Sequence, residues 1–96
     1  MSEALKAAAA ALERRYHGED LGSVIKFNLQ GEGSIRIVGG KVEIGEGEAD
    51  VTISAPLEVF RAIFEGEMSP ASAYMSGKID VEGDMGVAMM LGQALG

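Results

Sequence analysis

Four short runs between Ile25 and Ser54 alternate apolar and polar residues, and glycine turns separate them. Ile25, Phe27 and Leu29 stand against Lys26, Asn28 and Gln30, and Ile35 and Ile37 against Ser34 and Arg36. Val42 and Ile44 stand against Lys41 and Glu43, and Val51 and Ile53 against Asp50, Thr52 and Ser54. A period of two sends each set to its own face, so every run predicts a half-buried strand. The connections Gly31-Glu32-Gly33, Gly39-Gly40 and Gly45-Glu46-Gly47 are short and turn-like, which predicts an antiparallel meander with one wet face. The other face is apolar and needs a cover. Helices must supply it.

The rest of the chain holds those helices. Residues 2–16 read as the first: Ser2 caps it, Glu3 suits the positive end of its dipole, and Arg14, Arg15 and His17 suit the negative end. Leu5, Ala8, Ala9, Leu12 and Tyr16 share one face, and Gly18 is the expected stop. Pro56 at the first helical position opens a helix over 57–65 with Leu57, Phe60, Ile63 and Phe64 inward, ended by Gly66. Ser69-Pro70 repeats the capping signal for a short helix through Tyr74 and Met75. Residues 75–85 then hold three things in eleven positions: a turn at Gly77, an alternating strand carrying Ile79 and Val81, and a helix start at Gly83-Asp84. The order is αββββααβα. It predicts one α+β domain over residues 1–96, with a five-stranded, mostly antiparallel sheet covered by helices on one face. A domain of this size buries roughly two thirds of the surface of its unfolded chain, enough for one core.

Fifteen Asp and Glu against eight Lys and Arg give a net charge of −7. Nucleic acid and anionic bilayers both require a cationic footprint, and the basic residues here are scattered singly apart from Arg14-Arg15. Neither partner is expected. The chain has no cysteine, which removes disulfides and thiolate chemistry. No run approaches the ~20 apolar residues of a membrane span, and the alanines at 7–11 are too weakly hydrophobic for a signal peptide. The expected address is cytoplasmic.

Candidate reactive groups are few. His17 has no serine or acid at a telling spacing and reads as a solvated partner of the helix dipole. Glu43, Glu46, Glu48 and Asp50 lack the register of a Ca²⁺ loop and read as a wet hairpin face. Gly31-Glu32-Gly33 precedes a strand, where a dinucleotide loop needs a helix. Tyr16 and Tyr74 read as packed rings with wet hydroxyls. No catalytic residue, metal site or cofactor is predicted.

Several of these segments, taken in order, resemble the sterol carrier protein 2 (SCP2) domain family. They are Ala49-Asp50-Val51-Thr52-Ile53, the helix at 57–64 followed by Gly66, Met68-Ser-Pro-Ala-Ser-Ala-Tyr-Met75, and above all 75–85, with its Met-Ser-Gly-Lys strand entry and Gly-Asp-Met helix start. The similarity covers roughly 24–95 and is that of a small stand-alone, bacterial-type member. It implies a five-stranded mixed sheet with helices on one side, and non-catalytic carriage of a lipid in an apolar cavity between them. The ending Gln93-Ala-Leu-Gly96 differs from the Lys-Leu peroxisomal signal of the animal proteins, so that address is not expected.

The last helix is the unusual element. Residues 85–96 carry no charged side chain, and Met85, Val87, Ala88, Met89, Met90, Leu91, Ala94 and Leu95 go nearly all the way round. A helix apolar on every side is expected to be buried on more than one. Lipid, a second subunit in a homodimer and the plain core are the three candidates for that contact. Methionines favour an adaptable surface. The candidate lipid-binding residues are therefore Phe27, Ile37, Phe60, Phe64, Met75, Met85, Met89 and Met90, around a fatty acyl, sterol-like or isoprenoid/quinone-type ligand. The alternative is an accessory, assembly or dimerisation module that works with a partner enzyme and transfers no free lipid.

Overall fold

A computed structural model describes residues 2–95. Helix α1 (Glu3–Arg15) leads into strands β1 (Ile25–Leu29), β2 (Gly33–Val38), β3 (Lys41–Ile44) and β4 (Val51–Ala55). There follow α2 (Leu57–Phe64), α3 (Pro70–Met75), β5 (Asp80–Gly83) and α4 (Met85–Leu95). The element order is the one that alternation and capping predict. Gly96, the end of the expected last helix, lies outside the described residues.

The sheet is mixed, in the order β3-β2-β1-β4-β5. β1 with β2, β2 with β3, and β4 with β5 pair antiparallel, but β4 pairs parallel with β1, Phe27 opposite Ile53. The meander therefore holds for three strands and fails at the fourth. Gly45-Glu46-Gly47, expected as a hairpin turn, instead opens a crossover over 45–50 that carries the chain from one sheet edge to the far side of β1. Alternation specifies which face a side chain takes and is silent on which strand lies next door.

The crossover runs over the face opposite the helices. There Lys26 Nζ meets Glu46 at 2.7 Å, an Arg36 guanidinium nitrogen donates to the Glu48 carbonyl at 3.2 Å, and Arg36 pairs with Glu43 at 3.6 Å. The bond from Lys26 holds the Glu46 carboxyl below the usual carboxylate range. Ser34, expected on a wet surface, is buried beneath this strap, where its carbonyl accepts from the Gly45 N–H at 2.9 Å. The face expected to be wet is thus partly roofed.

The predicted apolar set of β1, β2 and β4, namely Ile25, Phe27, Leu29, Ile35, Ile37, Val51 and Ile53, is buried, and Ser34 and Ala55 are buried beside it. α1 packs over β2 and β3 and beside α2, while α4 lies over β4 and β5. The Ser2 hydroxyl caps α1 by accepting from the Leu5 N–H at 2.9 Å. The helix ends before Gly18, because Tyr16 is already extended: its ring is buried and its hydroxyl donates to the Glu19 carbonyl rather than to water. Pro56 is the N-cap of α2, one residue before the position expected for it.

α3 ends as residues 75–85 suggest. Gly77 has φ +73°, its N–H donates to the Tyr74 carbonyl at 3.1 Å, and the Lys78 N–H reaches the Ala73 carbonyl at 2.8 Å. That pair of bonds is the Schellman closure, which needs a residue comfortable in the left-handed region. It turns the chain directly into β5. The Asp84 carboxylate then accepts from the Gly86 and Val87 N–H groups at 2.9 and 3.2 Å, and α4 begins.

Candidate functional site

α1 and α4 cover opposite halves of the sheet, and the space between α4, α3, α2 and the β4–β5 half is not filled. A cavity of about 520 Å³ remains. Its floor is Phe27, Ile53 and Val81 from the sheet with Ile79 just before β5, and its inner wall is Phe60, Ile63 and Phe64 from α2. Pro70, Ala71 and Tyr74 of α3, with the capping Ser69, form one side. Met85, Ala88, Met89, Leu91, Gly92, Gln93 and Leu95 of α4 form the other. The volume falls within the roughly 300–1,000 Å³ of small-molecule sites.

Three aromatic rings make the inner wall rigid. Phe27 meets Phe60 and Phe64 edge-on, with centroids 5.6 and 5.3 Å apart, and Phe60 and Phe64 stack at 5.5 Å. The opposite, open side is softer: Tyr74, Met85 and Met89 border the cavity while 51%, 43% and 67% exposed. Tyr74 is thus a rim residue rather than a packed ring. Among the described residues no charged side chain lines the cavity, and Ser69, Tyr74 and Gln93 are its only polar ones. Such a lining offers desolvation to an apolar guest.

α4 differs from its expectation. Val87, Leu91 and Leu95, spaced by four, are buried, whereas Met85, Met89 and Met90 face outward. The helix is buried along one stripe only, because the sheet lies below it and, among the described residues, no further layer packs above. Its C-terminal end is tied down by Arg15, whose Nε donates to the Leu95 carbonyl at 2.8 Å. The same guanidinium lies over Gly66, at the end of α2. A second, smaller hollow on that side is lined by Ala11, Arg14, Arg15, Phe64 and Glu65, so Phe64 separates it from the main cavity.

Of the eight predicted lining residues, the structure gathers Phe27, Phe60, Phe64, Met85 and Met89 around one space. Ile37 is instead fully buried in β2, on the part of the sheet under α1. Met75 is 85% exposed at the end of α3, and Met90 points away from the cavity on α4. Ile53, Ile79 and Val81 were legible as inward-facing, but only the pairing of β4 with β1 and β5 places Ile53 and Val81 on the cavity floor, and Ile79 joins them from the residue before β5. His17 is exposed beyond α1. Among the described residues no three His, Asp or Glu side chains gather as metal ligands, and no helix is long and apolar enough to cross a membrane.

Gly92 narrows the gap between α3 and α4. A Cβ there would stand 4.0 Å from Pro70 Cβ, an ordinary contact. Gly92→Ala is expected to stabilise the domain by about 0.5–1 kcal/mol through helix propensity. Thermal unfolding should show a Tm rise of roughly 2–8 °C; a fall would mean that α3 and α4 approach more closely than this.

A mixed five-stranded sheet with helices on one face, bordering an apolar cavity beside an aromatic wall, defines a small α+β domain of the open-cavity kind. The sequence profile of the SCP-2 sterol transfer family matches residues 2–96, and the chain belongs to that family. It is 40% identical over 81 residues to hydroxysteroid dehydrogenase-like protein 2 of Xenopus tropicalis, covering 76% of this chain and 19% of that protein. The chain thus spans about a fifth of the length of such relatives. The fold is similar to sterol carrier protein 2 of Aedes aegypti, solved in complex with palmitate, with a TM-score of 0.73, 20% identity, and 99% and 96% of the two chains covered. It is also similar to the ubiquinone synthesis protein UbiJ-SCP2, with a TM-score of 0.60, 26% identity, and coverage of 98% and 79%.

Proposed function

We propose that this domain binds and carries a lipid without transforming it, holding one long apolar tail in the cavity beside Phe27, Phe60 and Phe64. The observation that carries this reading is a space of about 520 Å³ with no charged side chain among the described residues of its lining. Binding is then desolvation. Each buried methylene contributes about 0.8 kcal/mol, so ten give roughly 8 kcal/mol, near micromolar affinity before ordering costs. An acyl chain is the first candidate, supported by the palmitate complex of the Aedes relative. The ubiquinone synthesis relative supports an isoprenoid tail as the next.

Native mass spectrometry of gently purified protein tests this directly. Lipid masses on the protein, or uptake of added palmitate, are the expected result. Ala88 borders the cavity, and Ala88→Trp puts an indole where the tail would lie. Palmitate uptake should fall more than about tenfold, since the displaced methylenes each contribute near 0.8 kcal/mol. Equal uptake by this variant and the parent would remove the cavity from the reading.

The outward Met face of α4 favours a second reading, an assembly module whose helix meets another subunit or a partner enzyme. Its signature in the same experiment is a lipid-free dimer that takes up no palmitate.

A further inference from the structure

The methionines of this chain differ sharply in setting. Met85 and Met89 border the cavity while 43% and 67% exposed, Met75 and Met90 are exposed away from it, and Met68 is partly buried. The chain has no cysteine, so these thioethers are its most readily oxidised side chains, and oxidation follows access. We propose that Met85 and Met89 form an oxidation-sensitive gate, at which conversion to sulfoxide closes the cavity to apolar tails. The inference rests on the carrier reading and adds a modification site to it.

The reaction is a two-electron oxygen transfer from hydrogen peroxide. A sulfur lone pair attacks one peroxide oxygen, the S–O bond forms as the O–O bond breaks, and the proton on the transferred oxygen passes to the departing hydroxide, which leaves as water. Sulfur is oxidised and peroxide reduced. The product replaces a soft apolar contact with a strong dipole. In the empty domain both sulfoxides face water, so the fold is little affected. With a tail in place they face hydrocarbon, and among the described residues only Ser69, Tyr74 and Gln93 offer polar side chains along the lining. The penalty therefore falls on the bound state, and methionine sulfoxide reductase would lift it.

The test compares palmitate uptake before and after peroxide, with peptide mapping of each sulfoxide. Uptake should weaken about tenfold for each sulfoxide facing the tail, the usual effect of burying an unpaired polar group, while Tm changes little. Bound palmitate should slow oxidation of Met85 and Met89 several-fold and leave Met75 unprotected. The ratio of treated to untreated affinity should stay near one for Met85→Leu/Met89→Leu and should still drop for Met75→Leu/Met90→Leu. Unchanged uptake with both sulfoxides present, or an equal loss in the Met85→Leu/Met89→Leu variant, overturns the gate and leaves the carrier reading standing. Failure of the untreated protein to take up palmitate overturns both.

Discussion

Gly83→Ala should be the most damaging single methyl group that can be added to this chain. A Cβ at Gly83 would lie 2.3 Å from the Asp50 carbonyl oxygen and 3.0 Å from Val51 Cα, backbone atoms at the entry to the neighbouring strand β4. Gly83 also sits at φ +110°, a conformation that L side chains rarely adopt. Overpacking and strained backbone each cost about 1–3 kcal/mol, so roughly 2–6 kcal/mol together is expected. That is a large share of the roughly 5–14 kcal/mol available to a domain of this length. The damage is not confined to the strand, since the next residue, Asp84, bonds to Asp50 at 2.9 Å and caps α4. Urea unfolding reads the loss, and Gly77→Ala is the control. Gly77 has a positive φ but open surroundings, so it should cost only about 1–2 kcal/mol. Equal losses at the two sites would show that backbone conformation alone, and not the close approach of β4, governs Gly83.

Phe60→Ala should be nearly as severe and should connect stability to ligand. Phe60 is 1% exposed and touches both other rings of the aromatic wall. Truncating a buried phenylalanine costs about 3–5 kcal/mol. Here the new void joins an existing one, so neighbouring groups have little reason to collapse into it. The variant is expected to be marginal at 37 °C when empty. A ligand at about a hundred times its Kd returns roughly 2.7 kcal/mol by mass action. Palmitate should therefore restore a cooperative thermal transition in Phe60→Ala if the enlarged cavity still holds the tail. A loss below about 1 kcal/mol in the empty variant would mean that the aromatic wall is not part of the core.

Local signals carried most of the fold. Each inward position in β1, β2 and β4 followed from alternation, because the two faces of a strand differ at successive residues whatever their neighbours. The caps at Ser2, Ser69 and Asp84 and the turn at Gly77 followed for the same reason: the groups they satisfy lie within five residues. Phe27, Phe60 and Phe64 were recognisable as candidate wall residues because large apolar side chains on facing elements had to meet.

What tertiary structure alone decided is adjacency. Nothing within segment 45–50 states that it passes two strands, β2 and β1, to set Val51 beside Ile25 rather than beside β3. That choice separates Ile37 under α1 from Ile53 and Val81 under α4, although the three look alike as inward strand residues. It also leaves α4 with a sheet below and, among the described residues, no further layer above, so a helix apolar on every side buries only Val87, Leu91 and Leu95 and turns its methionines outward. A cavity is a volume that distant elements fail to fill. Its walls depend on which strands become neighbours and how far apart the helices lie, and neither quantity resides in any short stretch of chain.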